Sequence, residues 1–165
     1  MKLRGNAVVA QSGGPTAVIN SSVCGVIQEW LKADPPGKLY GALFGIRGVL
    51  EENLLDLSKQ PKHIIEGLRY TPGAALGSSR YKLSREEDYA RLFEAFKKHD
   101  IRYFFYIGGN DSMDTADRIN RFADKANYEI RVIGIPKTID NDLPHTDHTP
   151  GYGSAAKFLA ATVRE

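Results

Sequence analysis

The sequence is poor in cysteine, in long apolar runs and in surplus charge, and each shortage removes a class of protein. Cys24 is the single cysteine of the 165 residues, so no internal disulfide can form, and a reducing cytoplasm is the expected setting. No run approaches the roughly 20 apolar residues of a membrane-spanning helix. The opening residues Met1 to Asn6 lack the apolar core of a signal peptide. The 22 basic and 20 acidic residues leave a formal charge of +2, which makes no electrostatic case for a nucleic-acid or membrane partner. Internal repeats and low-complexity stretches are absent, and Pro35-Pro36-Gly37 reads as a turn too short to link domains. The length suits one domain of ordinary size.

What is present alternates. Ala7 to Ala10 reads as a short strand, and Thr16 to Leu31 as a helix with Pro15 and Thr16 at its first positions. Val18, Val23, Val26, Ile27 and Trp30 form its expected apolar face. Leu39 to Phe44 is a second strand, residues 46–57 are irregular, and Ser58 to Arg69 is a short helix. Ser84-Arg85-Glu86-Glu87 is a capping box, opening a helix to about His99. Arg102 to Ile107 is a strand, followed by a helix to about Asn127 with Met113, Ala116, Ile119 and Phe122 on one side. Ile130 to Ile135 reads as a buried strand, and a last helix starts near Tyr152. This order predicts an α/β fold, a Rossmann-like parallel or mostly parallel sheet with helices on both faces.

Three loops then leave strand ends with unusual chemistry. Gln11 to Thr16 places a double glycine between strand and helix, the geometry that offers backbone N–H groups to a phosphate. It is neither a Walker A loop nor a Rossmann glycine fingerprint, and it also fits a plain tight turn. Gly108 to Ser112 adds Asn110 and Asp111 where a helix begins. Residues 136–142, Pro-Lys-Thr-Ile-Asp-Asn-Asp, crowd a lysine, a hydroxyl and two carboxylates beside a strand end. The acids suit a base and a polariser or metal partner, and the lysine suits a phosphate. Read alone, that loop also fits a solvated Asx turn at Asn141. A small-residue loop, Thr71 to Arg80, could bring its glycines and Arg80 to a ligand or simply cross the surface. In a parallel sheet the three strand-end loops share one edge, where α/β folds bind ligands. That assembly suits phosphoryl transfer.

These loops, with Gly77-Ser78-Ser79-Arg80, closely resemble the phosphofructokinase family. The corresponding family patterns are an early Gly-Gly loop, Gly-Ser-X-Arg, Gly-Gly-Asp-(Gly or Asp)-Ser and Pro-(Gly or Lys)-Thr-Ile-Asp-Asn-Asp. Residues 148–155, from His148 to Ala155, look like the segment that follows the last of these, and the resemblance runs from about Ala7 to Glu165. It implies that Gly13 and Gly14 contact the phosphoryl donor and that Arg80 holds donor phosphate and the transferring group. Ser112 would help the helix start bind phosphate. Thr138 and Asp142 would touch the sugar phosphate, and Asp140 would take the proton from the 1-hydroxyl of fructose 6-phosphate. Members using ATP look like Gly-Gly-Asp-Gly-Ser and Pro-Gly-Thr-Ile-Asp, whereas members using diphosphate carry Asp and Lys at the two variable positions. This chain has Asp111 and Lys137 there. Asp111 would put charge where a nucleotide's α-phosphate lies, and Lys137 would neutralise the smaller donor.

The expectation is therefore diphosphate-dependent phosphorylation of fructose 6-phosphate, a step of glycolysis and gluconeogenesis, with Mg²⁺ as cofactor, by a cytoplasmic homo-oligomer. An ATP-dependent enzyme is one alternative, and an inactive fragment that binds phosphate or pairs with subunits is another. Two departures stand out. Asn110 replaces an acid associated with magnesium, which leaves an uncharged amide oxygen as the metal contact. Family members are also about twice as long or more, so residues 1–165 are read as a truncated donor-binding N-terminal domain that lacks a sugar-phosphate domain and is inactive alone.

Overall fold

The computed structural model describes residues 3–16, 18–33 and 37–165. The turn expected at Pro35-Pro36 lies outside them. The chain begins with β1 (Asn6–Gln11), α1 (Ile19–Lys32) and β2 (Leu39–Ala42). Next come α2 (Ile46–Leu50), β3 (Leu54–Asp56), α3 (Lys62–Gly67) and α4 (Glu86–Lys98). The remainder is β4 (Ile101–Gly108), α5 (Asn110–Lys125), β5 (Arg131–Pro136) and α6 (Tyr152–Arg164).

The five strands form one sheet in the order β3-β2-β1-β4-β5. All neighbouring pairs are parallel except β2 with β3. Alternation along β1 sends Val8 and Ala10 to one face and Ala7 and Val9 to the other. On the first face they meet Leu92, Phe93 and Phe96 of α4 and Ala116, Ile119 and Ala123 of α5. On the second they meet Ile19, Val23, Ile27 and Trp30 of α1 and Ile65 of α3. The sheet therefore separates two cores, each closed by helices, and the expected α/β architecture holds.

Several local expectations are corrected. Helix α1 begins at Ile19, so Pro15 and Thr16 belong to the preceding loop, and Val18 is only half-buried. Residues 46–57 are not irregular: they form α2 and the short strand β3, whose pairing comes from β2 rather than from local pattern. The apolar run 130–135 is not a buried strand. As β5 it lies at the sheet edge, with Ile133 and Gly134 exposed.

The helix α4 cap is also shifted by one residue. Asp88, not Glu87, accepts from the backbone N–H groups of Ser84 and Arg85, both at 3.2 Å. Tyr81 donates its hydroxyl to the same carboxylate at 3.0 Å. Burial opposes the charge of Asp88, but these hydrogen bonds outweigh it and hold the carboxyl below its ordinary value. A depressed carboxyl stabilises the fold above its unfolded pKa, and that stability is lost as pH falls through the folded value. Asp88→Ala should therefore lower Tm by about 2–4 °C at neutral pH. The gap should narrow below about pH 4 in differential scanning calorimetry, and a constant gap would contradict this account.

Candidate active site

Strands β1, β4 and β5 run parallel in register, Gln11 facing Ile107 and Gly108 facing Pro136, so their three following loops leave the same edge. Chain order reverses between β1 and β4, which makes this edge the switch point where α/β sheets open a crevice. Two packing details bring the loops close. A side chain at Gly108 would collide with the Ser112 hydroxyl. Gly13 has φ +72°, a left-handed conformation that favours glycine.

The fourth loop, residues 71–82, is drawn over the same edge by buried polar groups. Gln11 donates its amide to Asn20 Oδ1 at 2.9 Å and accepts from Leu76 N at 2.9 Å. Asn20 in turn donates to Thr71 O and accepts from Ala75 N, both at 2.8 Å. Ser12 Oγ donates to Ser79 O at 3.2 Å, and Ser78 Oγ bonds the carbonyl of Gly13. Neither Gln11 nor Asn20 stands out in the sequence as a site residue. The available signals are a glutamine ending an apolar strand and an asparagine on the apolar face of a helix.

Two adjoining cavities at this edge carry the candidate residues. The larger, about 490 Å³, is lined by Gly13, Gly14, Arg80, Lys82, Asn110, Asp111, Ser112 and Lys137, among others. The smaller, about 300 Å³, holds Thr138, Asp140 and Asp142. Gly14, Gly109, Asn110 and Lys137 line both, so the cavities adjoin along a shared wall. Every candidate site residue thus reaches one cavity or the other.

Charge is arranged unevenly. Among the described residues Arg80 and Lys137 have no carboxylate partner, whereas Lys82 Nζ sits 2.8 Å from Asp111 Oδ2. Burial, and then the positive charge of Arg80, push the Lys137 ammonium below its ordinary pKa. Two cations held near each other without a counter-ion mark a place for an anion. At the start of α5, Ser112 N and Met113 N donate to Gly109 O, whereas the N–H groups of Asn110 and Asp111, which line the same cavity, have no acceptor among the described residues. The Tyr106 ring is buried in the core, and its hydroxyl lies beside Ser12 and Ser112 on the cavity floor.

The loop of residues 136–142 is held by Asn141. At φ +60° it accepts from Thr149 N at 2.8 Å and donates to Asp147 O at 3.3 Å. Asp140 N donates to Thr138 Oγ1 at 3.0 Å, and the carboxylates of Asp140 and Asp142 stay open to the smaller cavity. Among the described residues no three His, Cys, Asp or Glu side chains cluster as a metal cage. Magnesium does not require one, because it takes few protein oxygens plus substrate phosphates. The Asn110 amide, lining both cavities, fits that lesser demand.

Fold and site together define an α/β domain with a cation-lined cleft at a sheet switch point, next to a carboxylate-bearing loop. Residues 6–165 match the phosphofructokinase family, and the chain belongs to it. It is 50% identical over 165 residues to a pyrophosphate–fructose 6-phosphate 1-phosphotransferase of Halomonas elongata, covering 97% of this chain and 39% of that protein. The crystal structure of a pyrophosphate-dependent phosphofructokinase from Marinobacter aquaeolei is 53% identical with a TM-score of 0.86. That match covers 96% of this chain and 40% of the other. A second, from Nitrosospira multiformis, is 48% identical with a TM-score of 0.88, again over 96% and 40%. The chain thus spans about two-fifths of the length of the relatives it matches. No helix among the described residues is long and apolar enough to cross a membrane.

Proposed function

We propose that this domain binds diphosphate in the larger cavity and serves a phosphotransferase that phosphorylates fructose 6-phosphate to fructose 1,6-bisphosphate. The observation that carries the reading is the shared wall: Lys137 and Asn110 border both cavities, with Arg80 on one side and Asp140 on the other. A donor phosphate against Arg80 and Lys137 then lies beside an acceptor hydroxyl at Asp140. Relatives about 50% identical carry names for this reaction, which supports it.

Each residue has a role in the chemistry. The backbone at Gly13 and Gly14 lets the donor approach closely, and Ser112 with the start of α5 receives its phosphate. Asp140 takes the proton from the acceptor's 1-hydroxyl, while Thr138 and Asp142 hold the sugar near its reacting end. The hydroxyl oxygen forms a bond to the terminal phosphorus, the bridging P–O bond breaks, and inorganic phosphate leaves. Arg80 and Lys137 stabilise the charge spread over the transferring group. The Asn110 amide would hold magnesium, which would supply further charge neutralisation to the phosphates.

We place the sugar's 6-phosphate grip in additional polypeptide beyond this donor domain, within a cytoplasmic homo-oligomer. Asp111 lines the larger cavity, and a carboxylate at the position that the family resemblance gives to a nucleotide's α-phosphate favours diphosphate over ATP. A donor assay on the longer polypeptide carrying this chain should show far higher kcat/KM with diphosphate than with ATP. Faster turnover with ATP would reverse the donor assignment.

A further inference from the structure

Asp111 presents a physical difficulty for the donor reading. It is the second residue of α5, where a carboxylate is drawn to the helix start and its unpaired Asn110 and Asp111 N–H groups. Those same groups are the place for a donor phosphate. An aspartate there is a built-in competitor for the ligand that it helps to select.

Lys82 resolves the conflict. Its ammonium holds the Asp111 carboxylate at 2.8 Å, from the opposite wall of the cavity. The pair spans residues 29 positions apart in sequence, the loop before α4 and the start of α5 (111 less 82). The loop that carries Lys82 is itself fixed on both sides. Tyr81 N donates to Ser79 Oγ at 3.0 Å, and the Tyr81 hydroxyl is tied to Asp88. Leu83 is buried in the core. Lys82 therefore stands where it does because of its neighbours, and its side chain needs only to reach across. The hydrogen bond from Lys82, followed by its positive charge, holds the Asp111 carboxyl below its ordinary value.

We propose that Lys82 is a positioning residue of the donor site: by pairing with Asp111 it keeps that carboxylate off the start of α5, leaving the helix N–H groups open to phosphate. The inference rests on the reading of the larger cavity as a diphosphate site. It separates Lys82 from Arg80 and Lys137, which face the cavity without a carboxylate partner among the described residues and would touch the donor directly.

The test is titration calorimetry of inorganic diphosphate into the chain and into Lys82→Met, Lys82→Arg, Asp111→Asn and the Lys82→Met/Asp111→Asn double variant. Lys82→Met should raise Kd about three- to tenfold, the size expected of one exposed ion pair plus one helix-end charge. Lys82→Arg should bind as the parent does, because it keeps the pair. The double variant should bind no worse than Asp111→Asn alone, since without the carboxylate there is nothing to hold away. An unchanged Kd in Lys82→Met overturns the proposal and leaves the donor reading intact. Equal losses with and without the Asp111 carboxylate also overturn it, because Lys82 would then be an ordinary phosphate contact. Failure of the parent chain to bind diphosphate overturns the donor reading and this proposal together. Diphosphate KM in the longer polypeptide gives the same comparison should Lys82→Met fold poorly in the short chain, with the same outcomes deciding.

Discussion

Asp140→Ala, made in the longer polypeptide that carries this chain, should lower kcat by about 10²- to 10⁴-fold, the usual contribution of a general base. KM for both substrates should change little. The geometry supports this split. Asp140 lines the smaller cavity, its side chain is exposed there, and its backbone N–H is anchored to Thr138 Oγ1. Removing the carboxylate deletes a proton acceptor and leaves the loop's ties through Asn141 to Asp147 and Thr149 in place. The cations Arg80 and Lys137 of the larger cavity remain untouched, so the proposed donor affinity should persist. Steady-state kinetics beside the parent enzyme measure it. A kcat within a few-fold of the parent would remove Asp140 from the role of base, and a large rise in KM with kcat unchanged would make it a binding residue instead.

The larger effect is expected from the chain on its own. The 165 residues hold both cavities and Asp140, yet they match only about 39% of the length of relatives such as that of Halomonas elongata. Phosphoryl transfer needs both reactants in line, and orientation is worth roughly 7–11 kcal/mol of barrier. A domain that grips the donor and only one end of the acceptor forfeits most of that, so a coupled assay on the purified chain should find no significant turnover at high protein concentration. Activity within tenfold of the longer polypeptide would show that the 165 residues suffice, and the proposed division of labour would fall. The same preparation should self-associate in analytical ultracentrifugation. Helix α6 buries none of its residues and exposes Phe158, Leu159 and Val163, an apolar face of the kind that soluble monomers rarely leave open.

Much of the chemistry is legible in the order of residues alone. The glycine loops, Arg80 and residues 136–142 stand out as candidates by residue type, each with a plain structural alternative, and it is their resemblance to the family patterns that joins them into one site. The strand-helix alternation is equally plain, since the two periodicities differ. Legibility fails where a position is set by a distant partner. Strand β3 is three residues long and exists by pairing with β2, and no local pattern specifies a strand that short. The capping carboxylate of α4 lies one residue beyond the motif expected, because Tyr81 and two backbone N–H groups converge on Asp88. An apolar run such as 130–135 says that a strand forms but not who flanks it, and β5 lies at the edge.

By itself the sequence determined the kinds of groups this protein brings to its site and the order in which strands deliver them. Both depend on local composition and on spacing along one strand or one loop. Only the tertiary structure decided which groups meet. The parallel pairing of β1, β4 and β5 put three loops on one edge. The Gln11–Asn20 hydrogen bonds pulled residues 71–76 onto that edge, and Lys82 met Asp111 across the cavity. These contacts join residues far apart in the chain, and their partners are chosen by strand order, core packing and the need to satisfy buried polar groups. No periodicity along the sequence encodes them.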